Sequence, residues 1–228
     1  MKSPTGQNTV QREGPLVRGV TRPKVTAQRS QFGALVMDVS SSMAGSKIVE
    51  ANAALAELVA TLAMPKNRRA FHLAVVTYAT GAKVHLAQKV ADDIRPENLA
   101  LTADGDATNI HAGLAEALAC VEKAPSDGDW QRPIVVLMTD GRYNQGPAPD
   151  GIATTLKAKA DLIAVGFGAD ADIPLLERLA NTPKHAVRCT SGDALRAYFL
   201  SVATTMSRAA QTGQNAAALL RGGGVIRE

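Results

Sequence analysis

A chain of 228 residues is long enough for one domain with a substantial buried core, and 46% apolar with 20% charged residues excludes both a disordered polyelectrolyte and a membrane-embedded chain. Aromatic residues make up only 4%, so the core must be built from Ala, Val and Leu. The net charge of +4 is unevenly held: in the first thirty residues Lys2, Arg12, Arg18, Arg22, Lys24 and Arg29 face only Glu13, a balance of +5 that leaves −1 for the rest.

The opening MKSPTGQNTVQREGP has no apolar segment of the kind a signal peptide needs, and no window of the chain is long and apolar enough to span a bilayer. Cys120 and Cys189 fall in a predicted helix and a predicted strand without metal-ligand spacing, which suits two reduced thiols better than a disulfide framework. These features together predict a cytoplasmic protein. Residues 1–31, with Pro4, Pro15 and Pro23 among polar and basic side chains, read as a flexible basic arm. Such an arm could bind nucleic acid or an acidic partner. It holds no aromatic side chain to stack on a base, which argues against sequence-selective nucleic-acid recognition.

From Phe32 the pattern changes. FGALVMD reads as a buried strand ending at Asp38, followed by a loop and a helix over Ser46–Met64 that Pro65 stops. Phe71–Tyr78 is a second strand, apolar on both faces. Lys83–Ala87 alternates and reads as an edge strand reached by a hairpin through Gly81. A helix over Asn109–Val121 leads to a buried strand at Pro133–Met138. Helix Ile152–Ala160, strand Leu162–Phe167, helix Ile173–Leu179, strand Ala186–Cys189 and helix Ala194–Ala210 follow. Strands alternating with helices predict an α/β fold: a doubly wound, mostly parallel sheet with helices on both faces and one antiparallel edge strand. Residues 211–228, Ala- and Gln-rich and then Gly-rich, read as a C-terminal extension, either frayed or docking.

Three stretches carry the chemistry. In the first, Asp38, Ser40 and Ser42 alternate in a short loop after a buried strand. Carboxylate and hydroxyl oxygens are hard ligands, suited to Mg²⁺, Mn²⁺ or Ca²⁺, although the same residues could simply end a strand and cap a helix. The second is DGDATN, Asp104–Asn109, before a helix. It does not qualify as an EF-hand loop, because Asn109 stands where glycine is needed and Ala115 where a bidentate Glu is needed. The third is LMTDG, which places Asp140 at the end of a buried strand. Asp38 and Asp140 both fall at carboxyl ends of strands, where ligands bind in open parallel sheets.

The Asp-x-Ser-x-Ser of Asp38, Ser40 and Ser42, the loop containing Thr108 and the Thr-Asp-Gly around Asp140 resemble, in order, the metal-ion-dependent adhesion site of von Willebrand factor A domains. The resemblance covers residues 32–210. The family's glycine pair is not intact here, since Gly105, Asp106 and Ala107 occupy that turn. The resemblance implies a Rossmann-like fold and a Mg²⁺ ion (or Mn²⁺ or Ca²⁺). Ser40, Ser42 and Thr108 would touch the ion directly, and Asp38 and Asp140 directly or through water. It also implies a partner Asp or Glu carboxylate at the open coordination position, and so a non-catalytic protein-interaction module. In compactness and predicted intracellular character the chain is similar to bacterial TerY-like proteins of tellurium resistance. That likeness implies an adaptor in a stress or defence pathway, with a kinase, phosphatase or AAA+ ATPase as partner.

Two other functions compete. A metal-dependent hydrolase or phosphatase could use Asp38 as nucleophile, but the second acid of haloacid-dehalogenase-like phosphatases is replaced by Ser40. His111 is the single histidine close in sequence to a candidate ligand. A nucleic-acid-associated protein would act through the basic arm.

Overall fold

The computed structural model describes residues 28–125 and 128–222. All but the last residues of the basic arm, and the final Gly-rich stretch, lie outside the described residues. Six strands form one sheet: β1 (Ser30–Asp38), β2 (Phe71–Tyr78), β3 (Ala82–Val90), β4 (Trp130–Thr139), β5 (Asp161–Phe167) and β6 (Ala186–Cys189). Their spatial order is β3-β2-β1-β4-β5-β6. Every pairing is parallel except β2 with β3, where the hairpin is tightened by Ala79 N–H donating to the Gly81 carbonyl at 2.8 Å.

The alternating directions of side chains along each strand divide the core in two. On one face Leu35, Met37, Leu73, Val75, Val136 and Met138 meet helices α1 (Ser46–Leu62) and α5 (Gly192–Thr212). On the other, Ala34, Val36, Ala74, Val76, Val135 and Leu137 meet α2 (Ile110–Lys123), α3 (Asp150–Lys159) and α4 (Ile173–Leu179). Both layers are rich in small aliphatics and cover the sheet on both faces, which is why strands with almost no polar residues are stable here. Cys120 and Cys189 are both free thiols, and burial pushes the Cys189 thiol up to about 11, so it stays protonated at neutral pH.

The chain continues past α5 through Gly213, in the left-handed conformation at φ 71°, into α6 (Ala216–Gly222). Ala216, Ala217 and Leu220 are buried, and the Ala217 carbonyl lies 3.2 Å from Nε2 of the buried His185. The described part of the C-terminal extension therefore docks on its own domain.

Strand order reverses between β1 and β4. The chain leaves β1 through α1 toward β2 on one side, while β4 and its successors build out on the other. The loops after β1 and β4 diverge there and leave a crevice at the carboxyl edge, the place where open parallel sheets bind ligands. Among the described residues no helix is long and apolar enough to cross a membrane.

Candidate metal centre

Asp38 closes β1 and is fully buried. One carboxylate oxygen accepts the Ser40 backbone N–H at 2.9 Å, which curls the chain back over the strand end. The other accepts the Thr139 hydroxyl at 2.6 Å and so ties β1 to β4 across the crevice. Burial raises the carboxyl above its ordinary range; the bonds from Ser40 and Thr139 oppose that, and the nearby Asp140 charge adds to it.

The curled loop sets a row of oxygens across the crevice. Ser40 Oγ lies 3.0 Å from Ser42 Oγ, and Ser42 Oγ donates to Asp140 Oδ1 at 2.7 Å. Ser40 and Asp140 are buried while Ser42, between them, is exposed, so the row meets solvent at its middle member. Gly45, at φ 78°, turns this loop into α1, a conformation that favours glycine.

The middle loop is laid against the first. Gly105 forms a bridge with Ser40, and its N–H donates to the Val39 carbonyl at 3.1 Å. A Cβ on Gly105 would stand 2.1 Å from that of Ala79, so the one glycine kept from the family's pair is the one this approach needs. Thr108 is buried, and Asp104 and Asp106 are exposed. The structure thus brings Asp38, Ser40, Ser42 and Asp140 into one hydrogen-bonded set, and holds the backbone of Thr108 in the loop beside it.

Two residues that sequence reasoning missed complete the arrangement. Asn144 grips Thr108 from the loop after β4: its Oδ1 accepts the Thr108 N–H at 2.8 Å, and its own N–H donates to the Thr108 carbonyl at 3.2 Å. Lys47, from the first turn of α1, places Nζ 2.5 Å from Asp140 Oδ2. Beside Asp140, residues Gly141, Arg142, Asp170, Asp172 and Arg188 help frame a depression of about 510 Å³.

Donor chemistry limits what can bind. Among the described residues no three His, Cys, Asp or Glu side chains gather as a metal-ligating group, and the oxygens set beside Asp140 are the hydroxyls of Ser42 and Ser40. His111, half-buried one position into α2, leaves Nδ1 without a hydrogen-bond partner. A small octahedral cation with bonds of about 2.1 Å holds adjacent ligands roughly 3 Å apart, and the oxygen row has spacings of 3.0 and 2.7 Å. All its members are hard oxygens, so the residues fit Mg²⁺-like ions.

The family profile of the von Willebrand factor type A domain matches residues 34–200. The chain belongs to that family. Its vWA domain is 27% identical over 160 residues to the rat inter-alpha-trypsin inhibitor heavy chain H3, covering 64% of this chain and 18% of that protein. The chain therefore spans less than a fifth of that relative's length. Among solved structures, proximal thread matrix protein 1 of the mussel byssus, determined with a zinc-occupied MIDAS motif, is 25% identical with a TM-score of 0.65, covering 78% of this chain and 48% of that one. A von Willebrand factor type A protein from Catenulispora acidiphila superposes with a TM-score of 0.67 at 20% identity, covering 78% and 43%, and supports the fold alone. The vWA fold is a metal-dependent protein-interaction fold, and the six-stranded sheet with its single antiparallel pair agrees with it.

Asn144→Ala is expected to weaken divalent-cation affinity about tenfold, as loss of an outer-shell support does, and Asn144→Asp, which keeps an acceptor for the Thr108 N–H, to weaken it less. Isothermal titration with Mn²⁺ measures both. Equal affinities in wild type and Asn144→Ala would remove Asn144 from the site.

Proposed function

We propose that this vWA domain is a non-catalytic binding module. In this reading Ser40, Ser42 and Thr108, with Asp38 and Asp140 directly or through water, hold a divalent cation, Mg²⁺ or a relative such as Mn²⁺ or Ca²⁺, for a partner's Asp or Glu carboxylate. The observation that carries the reading is the oxygen row from buried Ser40 through exposed Ser42 to buried Asp140, at spacings suited to a single small cation. Bound there, the ion would supply an electron-poor vertex for an incoming acid. The chain's own part is to fix the oxygens: Asp38 holds Ser40 through its backbone and β4 through Thr139, so the loops do not have to be ordered when the ion arrives.

The donor set suits binding: both buried acids are held by neighbours, Asp38 by Ser40 and Thr139 and Asp140 by Ser42 and Lys47, which fixes their oxygens in place for a cation. Such a module would serve as an adaptor. A place in a bacterial stress or defence pathway of the tellurium-resistance type, beside a kinase, phosphatase or AAA+ ATPase in the cytoplasm, is the narrower part of the proposal and is supported by the likeness to TerY-like chains.

The test is capture of partner proteins on the immobilised chain in Mg²⁺ against chelator, with Asp140→Asn as the second arm, together with a phosphoester panel in Mg²⁺ or Mn²⁺. Capture lost in both the chelator and Asp140→Asn arms, without turnover, is the expected result. Metal-dependent turnover that Asp38→Ala abolishes would overturn the reading in favour of a hydrolase.

A further inference from the structure

Lys47 stands in an unexpected place. It is the second residue of α1, where the positive end of the helix dipole disfavours a cation, and that first turn holds no acidic residue to offset it. Its stem runs past the backbone of Gly168 at the end of β5, where a Cβ would lie 3.8 Å from Lys47 Cε. Its ammonium ends 2.5 Å from Asp140 Oδ2, the oxygen that Ser42 leaves free, while Ser42 takes Oδ1. Asp140 is wholly buried and Lys47 keeps 32% of its side-chain exposure, so the pair sits at the mouth of the crevice, in the partly screened zone where a charge acts on its neighbours but is not trapped. Helix stabilisation does not explain the position; the Asp140 carboxylate does.

We propose that Lys47 is a specificity-determining countercharge of the site: it neutralises Asp140 in the metal-free protein, lowers divalent-cation affinity, and converts the cation-loaded site from neutral to net positive so that it accepts a monoanionic carboxylate. This rests on the metal-dependent reading above. The charge count is direct. Asp38 and Asp140, the two buried acids, together match a divalent cation and would leave that buried set neutral, while the charges of Asp104, Asp106 and Arg142 are exposed and screened by solvent. Adding the Lys47 ammonium leaves one positive charge, which one partner Asp or Glu cancels. The same residue therefore has effects of opposite sign: it repels the cation and attracts the acid.

The experiment uses the full chain as wild type, Lys47→Met, Lys47→Gln and Lys47→Arg. Mn²⁺ affinity is measured by electron paramagnetic resonance of the free ion. Acetate, standing in for a partner side chain, is then titrated onto each Mn²⁺-loaded protein while water-proton relaxation is followed. Lys47→Met and Lys47→Gln are expected to bind Mn²⁺ about tenfold more tightly and acetate several-fold more weakly, and Lys47→Arg to stay near wild type in both. The opposite signs separate a countercharge from a merely structural lysine, whose loss would weaken both. Wild-type binding of Mn²⁺ with no tightening in Lys47→Met, or with acetate affinity unchanged, would overturn this proposal alone. Failure of wild type to bind Mn²⁺ would overturn the metal-dependent reading and this proposal with it.

Discussion

Asp140→Asn is expected to weaken divalent-cation binding by about a hundredfold while leaving the fold intact. The substitution is nearly isosteric and keeps an oxygen where Ser42 donates, so the 2.7 Å bond that orders the first loop can persist. What is lost is the negative charge at the Asp140 end of the oxygen row, one of the two buried acids of the site, where burial limits screening. Lys47, released from its partner, is exposed enough to turn to solvent, so no unpaired charge is trapped. Circular dichroism and the metal-free melting temperature should match wild type. The rise in melting temperature that saturating Mn²⁺ gives wild type should all but vanish, because a ligand stabilises only in proportion to its occupancy. A variant that retained wild-type affinity would remove Asp140 from the site.

The second large effect lies far from the crevice. Asn67→Ala should cost about 2–4 kcal/mol of folding stability, the range for stranding several buried polar groups. Asn67 is fully buried, and its side-chain amide donates to the Thr61 and Leu62 carbonyls at 3.0 and 2.9 Å. These are among the terminal α1 carbonyls that lack partners within the helix. Its Oδ1 accepts the Ser207 hydroxyl at 2.5 Å, which joins the end of α1 to α5. Alanine would take this partner from the Leu62 carbonyl and the Ser207 hydroxyl, and leave the Thr61 carbonyl to backbone donors such as the Met64 N–H at 3.4 Å. Ser207→Ala removes only one member and should cost less. Urea denaturation measures both, and a loss below about 0.5 kcal/mol for Asn67→Ala would show that the helix end is satisfied without it.

Much of this architecture is legible in the sequence because apolar runs and helical periodicity follow burial directly. Strands Phe71–Tyr78 and Ala186–Cys189 and helix Ile173–Leu179 fall where the pattern sets them. The start of β4 does not. Pro133 has no N–H and suggests a strand beginning there, yet Trp130 and Gln131 pair with Ser30 and Gln31, and an extra residue in β4 between Gln131 and Ile134 accommodates the proline. The C-terminal extension reads as frayed or docking alike because alanine marks neither a buried nor an exposed face, and the structure forms α6 there with Ala216 and Ala217 buried.

The alternating oxygens of Asp38, Ser40 and Ser42 were visible because they are local. Lys47 and Asn144 were not. A lysine in a helix and an asparagine in a loop read as solvated surface, and their partners stand far away, Lys47 being 93 positions from Asp140 and Asn144 36 from Thr108. Only the strand reversal at β1 and β4 brings them together.

The account turns on a single cation shared by loops distant in sequence. Anomalous diffraction at the manganese edge, from crystals of the full chain grown with MnCl₂, tests this most directly. One peak within about 2.1–2.4 Å of the Ser40 and Ser42 hydroxyls, with Thr108 and Asp140 around it, is the result expected. No peak in the crevice at saturating Mn²⁺, or a peak coordinated elsewhere, would contradict it.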